Sequence, residues 1–281
     1  MIKLRKPMEG RMALVLDGKK LAKENEIKMR DEVEKLKEQG INPTLATIIV
    51  GSFPPSVTYV GMKVRACERV GIVGKKIEIP EEATQDEVLA EVEKLNNDPN
   101  VYGILIQHPL PKHIDEAIVF NAISPKKDVD GLSKASHHYS STAYGIIDIL
   151  KHYKIEIQGK HAVVVGRSEI VGKPVARMLL NENATVTVCH SKTTNLQAHL
   201  SVADIVVICI GKPHYIKKEW LKEGVVVVDA GYNAGNVGDV DPEAFEISSA
   251  YTPVPGGVGP MTISSLMKQT IIQAKRENGI E

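Results

Sequence analysis

Cysteine is scarce in this chain, and no cysteine has a partner at a useful spacing. Cys67, Cys189 and Cys209 stand far apart, each in an apolar segment. There is no Cys-x-x-Cys pair and no Cys/His cluster with zinc-ligand spacing. The pattern therefore argues against a disulfide framework and a zinc site, and it indicates buried, reduced thiols in a cytoplasmic protein that binds no metal.

An excess of charge of one sign is also missing, because 35 Lys+Arg balance 35 Asp+Glu. Balanced charge argues against a nucleic-acid binder or a protein of the membrane surface. No apolar run is long enough to span a bilayer. The basic stretch through Arg11 is short and lacks the apolar core of a signal peptide. We therefore expect neither nucleic-acid nor membrane partners.

The length of 281 residues predicts two domains, because one typical domain has about 100–150 residues. Near-continuous Val/Ile runs alternate with helical patterns, which is typical of doubly wound α/β sheets with mostly parallel strands. The predicted strands are residues 44–50, 75–79, 102–107, 161–165, 185–189, 205–210 and 225–229. The predicted helices are residues 21–39, 56–70, 84–97, 115–122, 142–153, 171–181, 195–202 and 263–276. Thr84 and Glu87 fit a capping box.

The strongest local signal is residues 163–174, where a run of valines stops at Gly166 and a helix opens near Gly172. A strand that feeds a helix through a tight turn aims backbone N–H groups at one point, where a phosphate can sit. Arg167 and Ser168 fill the middle of the turn, so it is not a full Gly-x-Gly-x-x-Gly motif. The segment still predicts a Rossmann-type dinucleotide-binding domain.

The next strand ends in His-Ser-Lys-Thr, where NAD-binding sheets usually carry a carboxylate for the ribose hydroxyl. A hydroxyl at Ser191, an adjacent cation and nearby Arg167 suit a 2′-phosphate, so NADP is preferred over NAD. The alternative is that these are solvated residues at a strand end. Gly211 and Gly231 follow the next two strands at the same edge, although either one alone fits an ordinary turn.

A stretch of weak periodicity, residues 124–142, predicts the domain boundary. We place an N-terminal catalytic domain at residues 1–138, completed by the C-terminal helix at 263–281. The dinucleotide-binding domain occupies residues 139–262. The hydroxyl run at 140–142 is expected to cap the helix that follows it.

Tyr59 and Lys63 lie one helical turn apart, on the flank of an apolar stripe that runs from Val57 to Cys67. Ser56 is expected to cap this helix. Partial desolvation lowers the pKa of a lysine and frees its amine for acid–base chemistry. A solvated surface pair is the alternative. Short-chain dehydrogenases share the spacing, but their pair follows the cofactor motif, whereas this one precedes it.

Three further segments carry polar or flexible residues that could line a site. Gln107 ends a buried strand, where its amide can hold a lysine amine. Asp128 and Asp130 offer two carboxylates in a turn, which also fits a simple Asp-Gly turn. The tract 251–262 combines glycines, which let a ligand approach the backbone, with prolines, which stiffen the loop. We expect this tract to line the cleft between the domains.

Together, and in this order, these segments resemble the bifunctional methylenetetrahydrofolate dehydrogenase/methenyltetrahydrofolate cyclohydrolase family over nearly the whole chain. The resemblance rests on Tyr-x-x-x-Lys at 59–63, Gly-Ile-Leu-Ile-Gln-x-Pro-Leu-Pro at 103–111, Lys-Asp-Val-Asp-Gly at 127–131, Gly-Arg-Ser-x-x-Val-Gly-Lys-Pro at 166–174, Cys-His-Ser-Lys-Thr at 189–193 and Pro-Val-Pro-Gly-Gly-Val-Gly-Pro-Met-Thr at 253–262.

The resemblance implies two reactions. NADP oxidises 5,10-methylenetetrahydrofolate to 5,10-methenyltetrahydrofolate, and water then opens that product to 10-formyltetrahydrofolate. Lys63 would be the general acid/base of the second reaction, with Gln107 tuning it. Tyr59 would contact the folate, and Asp130 would hold the amino-pyrimidine edge of the pterin.

The resemblance also implies which residues bind the folate and NADP, the oligomeric state, the cellular location and the metabolic role. The folate would contact Tyr59, Lys63, Ile106, Gln107, His108, Asp130, Pro255, Gly256 and Gly259. NADP would contact Gly166, Arg167, Ser168, Gly172, Ser191, Gly211 and Tyr232. A cytoplasmic homodimer serving one-carbon metabolism and purine biosynthesis is expected.

The chain departs from the family pattern in four places. The link at 132–141 is short, Ser-Ser-Thr-Ala replaces the usual Pro-Cys-Thr-Pro, His108 stands where leucine is usual, and Tyr232 stands where isoleucine is usual. Because the link borders the cleft, one alternative is a dehydrogenase that has lost cyclohydrolase activity. Retention of Lys63, Gln107 and Asp130 argues against it. A non-catalytic NADP- or folate-binding protein is a third hypothesis, but it would not need the lysine–glutamine pair.

Overall fold

Two sheets of parallel strands, each flanked by helices, organise this computed structural model, which describes residues 13–280. The basic stretch through Arg11 lies outside the described residues. The strands are β1 Leu14–Val15, β2 Thr44–Val50, β3 Val73–Ile79, β4 Gly103–Ile106, β5 His161–Val165, β6 Thr185–Cys189, β7 Ile205–Ile208, β8 Val226–Asp229 and β9 Ala250–Tyr251. The helices are α1 Gly18–Glu38, α2 Pro54–Val70, α3 Gln85–Asn97, α4 Glu116–Asn121, α5 Ser141–His152, α6 Gly172–Asn181, α7 Leu196–Leu200 and α8 Val258–Glu277.

The smaller sheet has the order β3-β2-β4, with every strand pair parallel. All seven residues of β2 are buried, as expected for a central strand with helices on both faces. α3 begins with the predicted capping box, in which the Thr84 hydroxyl accepts from the Glu87 N–H and the Glu87 carboxylate accepts from the Thr84 N–H.

The larger sheet has the order β1-β9-β8-β7-β5-β6 and is also parallel throughout. The predicted α/β class with parallel sheets is confirmed. Strands β1 and β9 were not predicted, because strands of two residues have no periodic pattern. In a parallel sheet the strands end at one edge, where ligands bind in folds of this kind.

Helix α8 links the two hydrophobic cores. Val258 and Met261, in its first turns, pack in the core of the large sheet. Further along, Ile263, Leu266 and Ile271 pack with β2 and β4 in the core of the small sheet. The helix also packs along α1 and α5. It begins five residues before the predicted start at 263, because Pro260 falls in its first turn, where no helical hydrogen bond is lost.

Two predicted helix caps are wrong. α2 begins at Pro54 with proline in its first turn, and the Ser56 hydroxyl is buried without a hydrogen-bond partner. Ser140 does occupy the N-cap position of α5, but its hydroxyl donates to the Ile170 carbonyl oxygen at 2.5 Å. It therefore ties the domain link to the turn before α6 instead of capping α5.

The three cysteines are free thiols, and Cys67 and Cys189 are buried. Within residues 13–280, no group of three or more His, Cys, Asp or Glu side chains is arranged to hold a metal ion. Over the same range, none of the helices combines the length and the apolar character needed to cross a membrane.

Candidate active site

Lys63 lies on α2 with its amine directed at the end of β4. Its side chain is 8% exposed, and Nζ donates to Gln107 Oε1 at 3.0 Å. The predicted stripe is rotated slightly, because Val57 is exposed while Val60 and Lys63 are buried. Lys63 is therefore part of the buried face rather than its flank, and its amine is more desolvated than the sequence indicates.

Burial lowers the pKa of the Lys63 amine, and the charge of Asp130 partly opposes that shift. Burial likewise raises the pKa of the Asp130 carboxyl, against the opposing effects of Lys63 and the Ser141 hydroxyl. Both side chains are thus pushed toward their neutral forms. A lysine amine whose pKa is lowered is better suited to accept a proton in catalysis and to return it.

Gln107 is fixed by hydrogen bonds from both its backbone and its side chain. Its N–H donates to the Ile48 carbonyl at 2.8 Å, continuing the pairing of β2 and β4. Its side-chain Nε2 donates to the His108 carbonyl at 2.6 Å, which leaves Oε1 to face Lys63. The preceding residue, Ile106, packs in the core of the small sheet. The structure therefore brings the predicted lysine–glutamine pair together.

His108 is held at the surface by a carboxylate. Its Nδ1 lies 2.8 Å from Glu116 Oε1, and the same oxygen accepts the Leu110 N–H at 2.7 Å. A groove of about 630 Å³ opens beside this turn. It is lined by residues 50–54, 81 and 109–113. His108 thus acts as a hydrogen-bonded spacer that shapes the turn after Gln107.

The two carboxylates of the Asp-Val-Asp-Gly turn differ in role. Asp128 is fully buried and accepts the N–H groups of Leu132 and Ser133, so it builds the turn. Asp130 is only half-buried, and its charge acts on the pKa of Lys63. Gly131 has φ +66°, and a Cβ there would lie 2.3 Å from the backbone of the short link. A side chain at that position would push the link away from Asp130.

The turn after β5 has the close packing expected of a phosphate-binding turn. Gly166 has φ +129°, and a Cβ there would lie 2.5 Å from Cys209 Sγ. A Cβ on Gly172 would lie 2.4 Å from the Gly166 carbonyl oxygen. The Ser168 hydroxyl accepts the N–H groups of Val171 and Gly172 at 3.1 and 3.3 Å. The two glycines therefore let the start of α6 approach the end of β5.

The exposed side chains at this edge are polar or cationic. Arg167 and Ser168 are exposed after β5, and Ser191 is exposed after β6. The turn that presents Ser191 is closed by the His190 N–H, which donates to the Thr193 hydroxyl at 2.8 Å. The arrangement provides a guanidinium and a hydroxyl next to the strand edge, which suits a phosphate group.

Tyr232 reaches from the end of β8 to α2. Its ring meets Tyr59 edge to face, with centroids 5.9 Å apart and an interplanar angle of 77°. Its hydroxyl donates to Asn236 Oδ1 at 2.5 Å. Burial and the nearby Tyr232 raise the pKa of Tyr59. The contact places the loop after β8 against the helix that carries Lys63, a proximity that sequence spacing does not reveal.

The Pro/Gly tract packs on the start of α1. The Lys19 N–H donates to the Gly256 carbonyl at 2.8 Å, and a Cβ on Gly18 would lie 1.9 Å from the Gly257 carbonyl oxygen. Gly256 has φ +111°, while Pro255 and Gly259 are exposed. The tract was predicted from its glycines and prolines, whereas the sequence does not show that Gly18 makes the close packing possible.

Comparison with known families agrees with this geometry. The family model described as "Tetrahydrofolate dehydrogenase/cyclohydrolase, catalytic domain" matches residues 16–130. The model described as "Tetrahydrofolate dehydrogenase/cyclohydrolase, NAD(P)-binding domain" matches residues 140–278. The chain belongs to the tetrahydrofolate dehydrogenase/cyclohydrolase family. The resemblance inferred from the motifs is therefore confirmed.

Relatives of this family match over nearly their full length. The bifunctional protein FolD of Acinetobacter baumannii is 53% identical, with 95% of this chain and 100% of the relative covered. The bifunctional protein FolD of Shouchella clausii is 51% identical, and the match covers 94% of this chain and 98% of the relative. The crystal structure of Campylobacter jejuni FolD superposes with a TM-score of 0.92 at 42% sequence identity. The match covers 95% of this chain and 100% of the Campylobacter chain.

A cofactor-bound relative also matches. The structure of the Trypanosoma brucei dehydrogenase-cyclohydrolase, complexed with NADP and an inhibitor, matches with a TM-score of 0.92 at 36% sequence identity. The match covers 95% of this chain and 99% of the Trypanosoma chain. The chain is an enzyme of the dehydrogenase/cyclohydrolase family that carries both activities and uses NADP. The alternative of a dehydrogenase without cyclohydrolase activity is not favoured.

Proposed function

We propose that Lys63 is the general acid/base of the cyclohydrolase reaction, in which water opens 5,10-methenyltetrahydrofolate to 10-formyltetrahydrofolate. The observation that carries the proposal is the 3.0 Å hydrogen bond from the buried amine to Gln107 Oε1. The bond fixes the amine, and burial keeps it deprotonated at lower pH than an exposed lysine. Proton transfer by a positioned group of this kind accelerates such steps by about 10²- to 10⁴-fold.

The folate would lie between α2 and the loops that follow β4 and β8. Tyr59 offers a ring face, and Asp130 offers a half-buried carboxyl whose raised pKa suits hydrogen bonding to the amino-pyrimidine edge. The remaining proposed contacts are Ile106, Gln107, His108, Pro255, Gly256 and Gly259, from the turn after β4 and the Pro/Gly tract.

NADP would bind at the edge formed by the ends of β5, β6, β7 and β8. Gly166, Ser168 and Gly172 shape the turn for the diphosphate, while Arg167 and Ser191 would hold the 2′-phosphate. No carboxylate stands at the end of β6, where it would repel that phosphate. Gly211 and Tyr232 would contact the nicotinamide side. When bound, NADP accepts the hydride from 5,10-methylenetetrahydrofolate.

Several proposals concern domains and assembly. We propose the catalytic domain at residues 1–138, completed by 263–281, and the NADP-binding domain at 139–262.

We also propose a homodimer, since β6 is an edge strand whose Val188 is 39% exposed. Light scattering tests the dimer. We further propose a cytoplasmic role in one-carbon metabolism, in which 10-formyltetrahydrofolate serves purine biosynthesis, without nucleic-acid or membrane partners.

A paired assay tests the proposed function. NADPH formation from 5,10-methylenetetrahydrofolate and hydrolysis of 5,10-methenyltetrahydrofolate are followed separately, each with NADP and with NAD. We expect both reactions, with a higher kcat/KM for NADP. Absence of NADPH formation at any pH would instead support a non-catalytic binding protein, and absence of hydrolysis alone would support the monofunctional dehydrogenase.

A further inference from the structure

Two buried carboxylates lie beneath the cofactor edge and have no part in the chemistry described so far. Asp229 ends β8 and is 1% exposed. Asp239 follows the loop after β8 and is fully buried. Burying a carboxylate is costly unless it accepts several hydrogen bonds, so each of these should organise the backbone around it.

Asp239 accepts hydrogen bonds from two separate loops. The N–H groups of Ile210, Gly211 and Lys212, which follow β7, lie 2.8, 2.9 and 2.7 Å from its carboxylate oxygens. The side-chain Nδ2 of Asn233, in the loop after β8, donates to it at 3.0 Å. One carboxylate thereby fixes the loop of Gly211 to the loop that carries Tyr232.

Asp229 in turn holds the backbone of Asp239 in place by hydrogen bonds. Its carboxylate accepts the N–H of Asp239 itself at 3.1 Å, together with those of Gly231 and Val240, both at 2.9 Å. Two glycines make room for the pair. A Cβ on Gly231 would lie 2.2 Å from Asp239 Cγ, and a Cβ on Gly238 would lie 2.0 Å from Asp229 Oδ2.

We propose that Asp239, seated by Asp229, is a positioning residue that sets the loops of Gly211 and Tyr232 at the distance the nicotinamide end of NADP requires. The inference rests on the proposed cofactor site and deepens it. The loops of adjacent parallel strands border the ligand in a doubly wound sheet, so their separation determines the width of the cofactor site. Because Asp239 is fully buried, it would act through the backbone of Gly211 and through Asn233 rather than by contact with the cofactor.

The test replaces Asp239 by Asn, which keeps the size of the side chain but turns one acceptor oxygen into a donor facing N–H groups. Losing a charge-assisted hydrogen bond typically corresponds to about a tenfold or larger change in an equilibrium constant. We expect the Kd for NADPH and the KM for NADP to rise by at least about tenfold. Hydrolysis of 5,10-methenyltetrahydrofolate without cofactor should be unchanged, because Lys63 on α2 and Gln107 after β4 belong to the part of the fold built on the small sheet. Asp241→Asn, which alters a carboxylate two residues away that pairs with Lys217, is the matched control and should leave both quantities unchanged.

The split between the two activities separates positioning from general damage. Unchanged NADPH affinity in Asp239→Asn would overturn the proposal, and so would an equal loss of both activities with a lower Tm. If this variant does not fold, Asn233→Ala decides: weaker NADPH binding with normal hydrolysis supports the proposal, and unchanged binding overturns it. A wild-type enzyme that forms no NADPH would instead refute the proposed function itself, before any variant is compared.

Discussion

Replacing Lys63 by Met removes the amine that Gln107 holds, while keeping a long, unbranched side chain. The 3.0 Å hydrogen bond to Gln107 Oε1 is lost, and the hydrolysis of 5,10-methenyltetrahydrofolate loses its proton-transfer group. Since such a group contributes about 10²- to 10⁴-fold, we expect kcat of the cyclohydrolase to fall by that factor. NADP affinity should be unchanged, because the cofactor edge belongs to the other sheet.

The fold should tolerate this change. The wild-type lysine is 8% exposed, and burial lowers the pKa of its amine, so the charged form is disfavoured in the native state. Methionine removes that cost. Gln107 Oε1 loses a hydrogen bond that contributes about 1 kcal/mol net. Because the two effects oppose each other, the free energy of unfolding should stay within about 1 kcal/mol of the wild-type value.

The assay follows the disappearance of 5,10-methenyltetrahydrofolate, with NADPH binding measured by calorimetry on the same preparation. Lys94→Met, at an exposed lysine of α3 paired with Glu91, is the matched control and should behave as wild type. Hydrolysis that survives the loss of Lys63 would refute its assignment as the acid/base. Equal loss of hydrolysis and NADPH binding would contradict the assignment of proton transfer to the region of the small sheet and of NADP binding to the large sheet.

Three other perturbations test separate parts of the account. Arg167→Ala or Ser191→Ala should weaken NADP binding more than NAD binding, and an unchanged ratio of the two Kd values would contradict the 2′-phosphate assignment. Tyr232→Ile should lower the free energy of unfolding by about 0.5–1.5 kcal/mol, measured in urea, because the edge-to-face contact with Tyr59 is lost. Tyr232→Phe keeps the ring contact and loses only the hydrogen bond from the hydroxyl to Asn236, so it should lower the free energy of unfolding by less. Burial raises the pKa of Asp229 from 3.8 to about 6, so the folded state binds the extra proton between these values and stability falls as pH rises through them, by about 3 kcal/mol in total. Asp229→Asn should remove that contribution, and a stability difference between the variant and the wild type that stays constant over this pH range would contradict the assignment.

Much of the fold follows from the sequence because its parallel strands are buried on both faces. Val/Ile runs such as 161–165 and 185–189 coincide with β5 and β6. Helix ends were predicted less well where proline occupies the first turn, since Pro54 and Pro260 extend helices that periodicity alone starts later. Strands of two residues carry too little pattern for any prediction.

The lysine–glutamine pair could be predicted because Lys63 lies beside the apolar stripe of a helix and Gln107 directly follows a buried strand. The contact between Tyr59 and Tyr232 could not, since it depends on how the two sheets face each other. The pair Asp229 and Asp239 was not predicted, because an acidic residue at the end of a strand or in a glycine-rich loop is usually a solvated turn residue. Only the burial of their carboxylates and their backbone donors reveals that they hold the loops.

The charge state of one amine is the most direct test of the central claim. Enzyme labelled at the lysine Cε carbon is titrated by NMR, and the Lys63 resonance is assigned by its absence from Lys63→Met. We predict that Lys63 titrates at lower pH than the exposed lysines of the same protein, and that its pKa moves when Gln107 is replaced. A Lys63 resonance that titrates together with the exposed lysines would contradict the account.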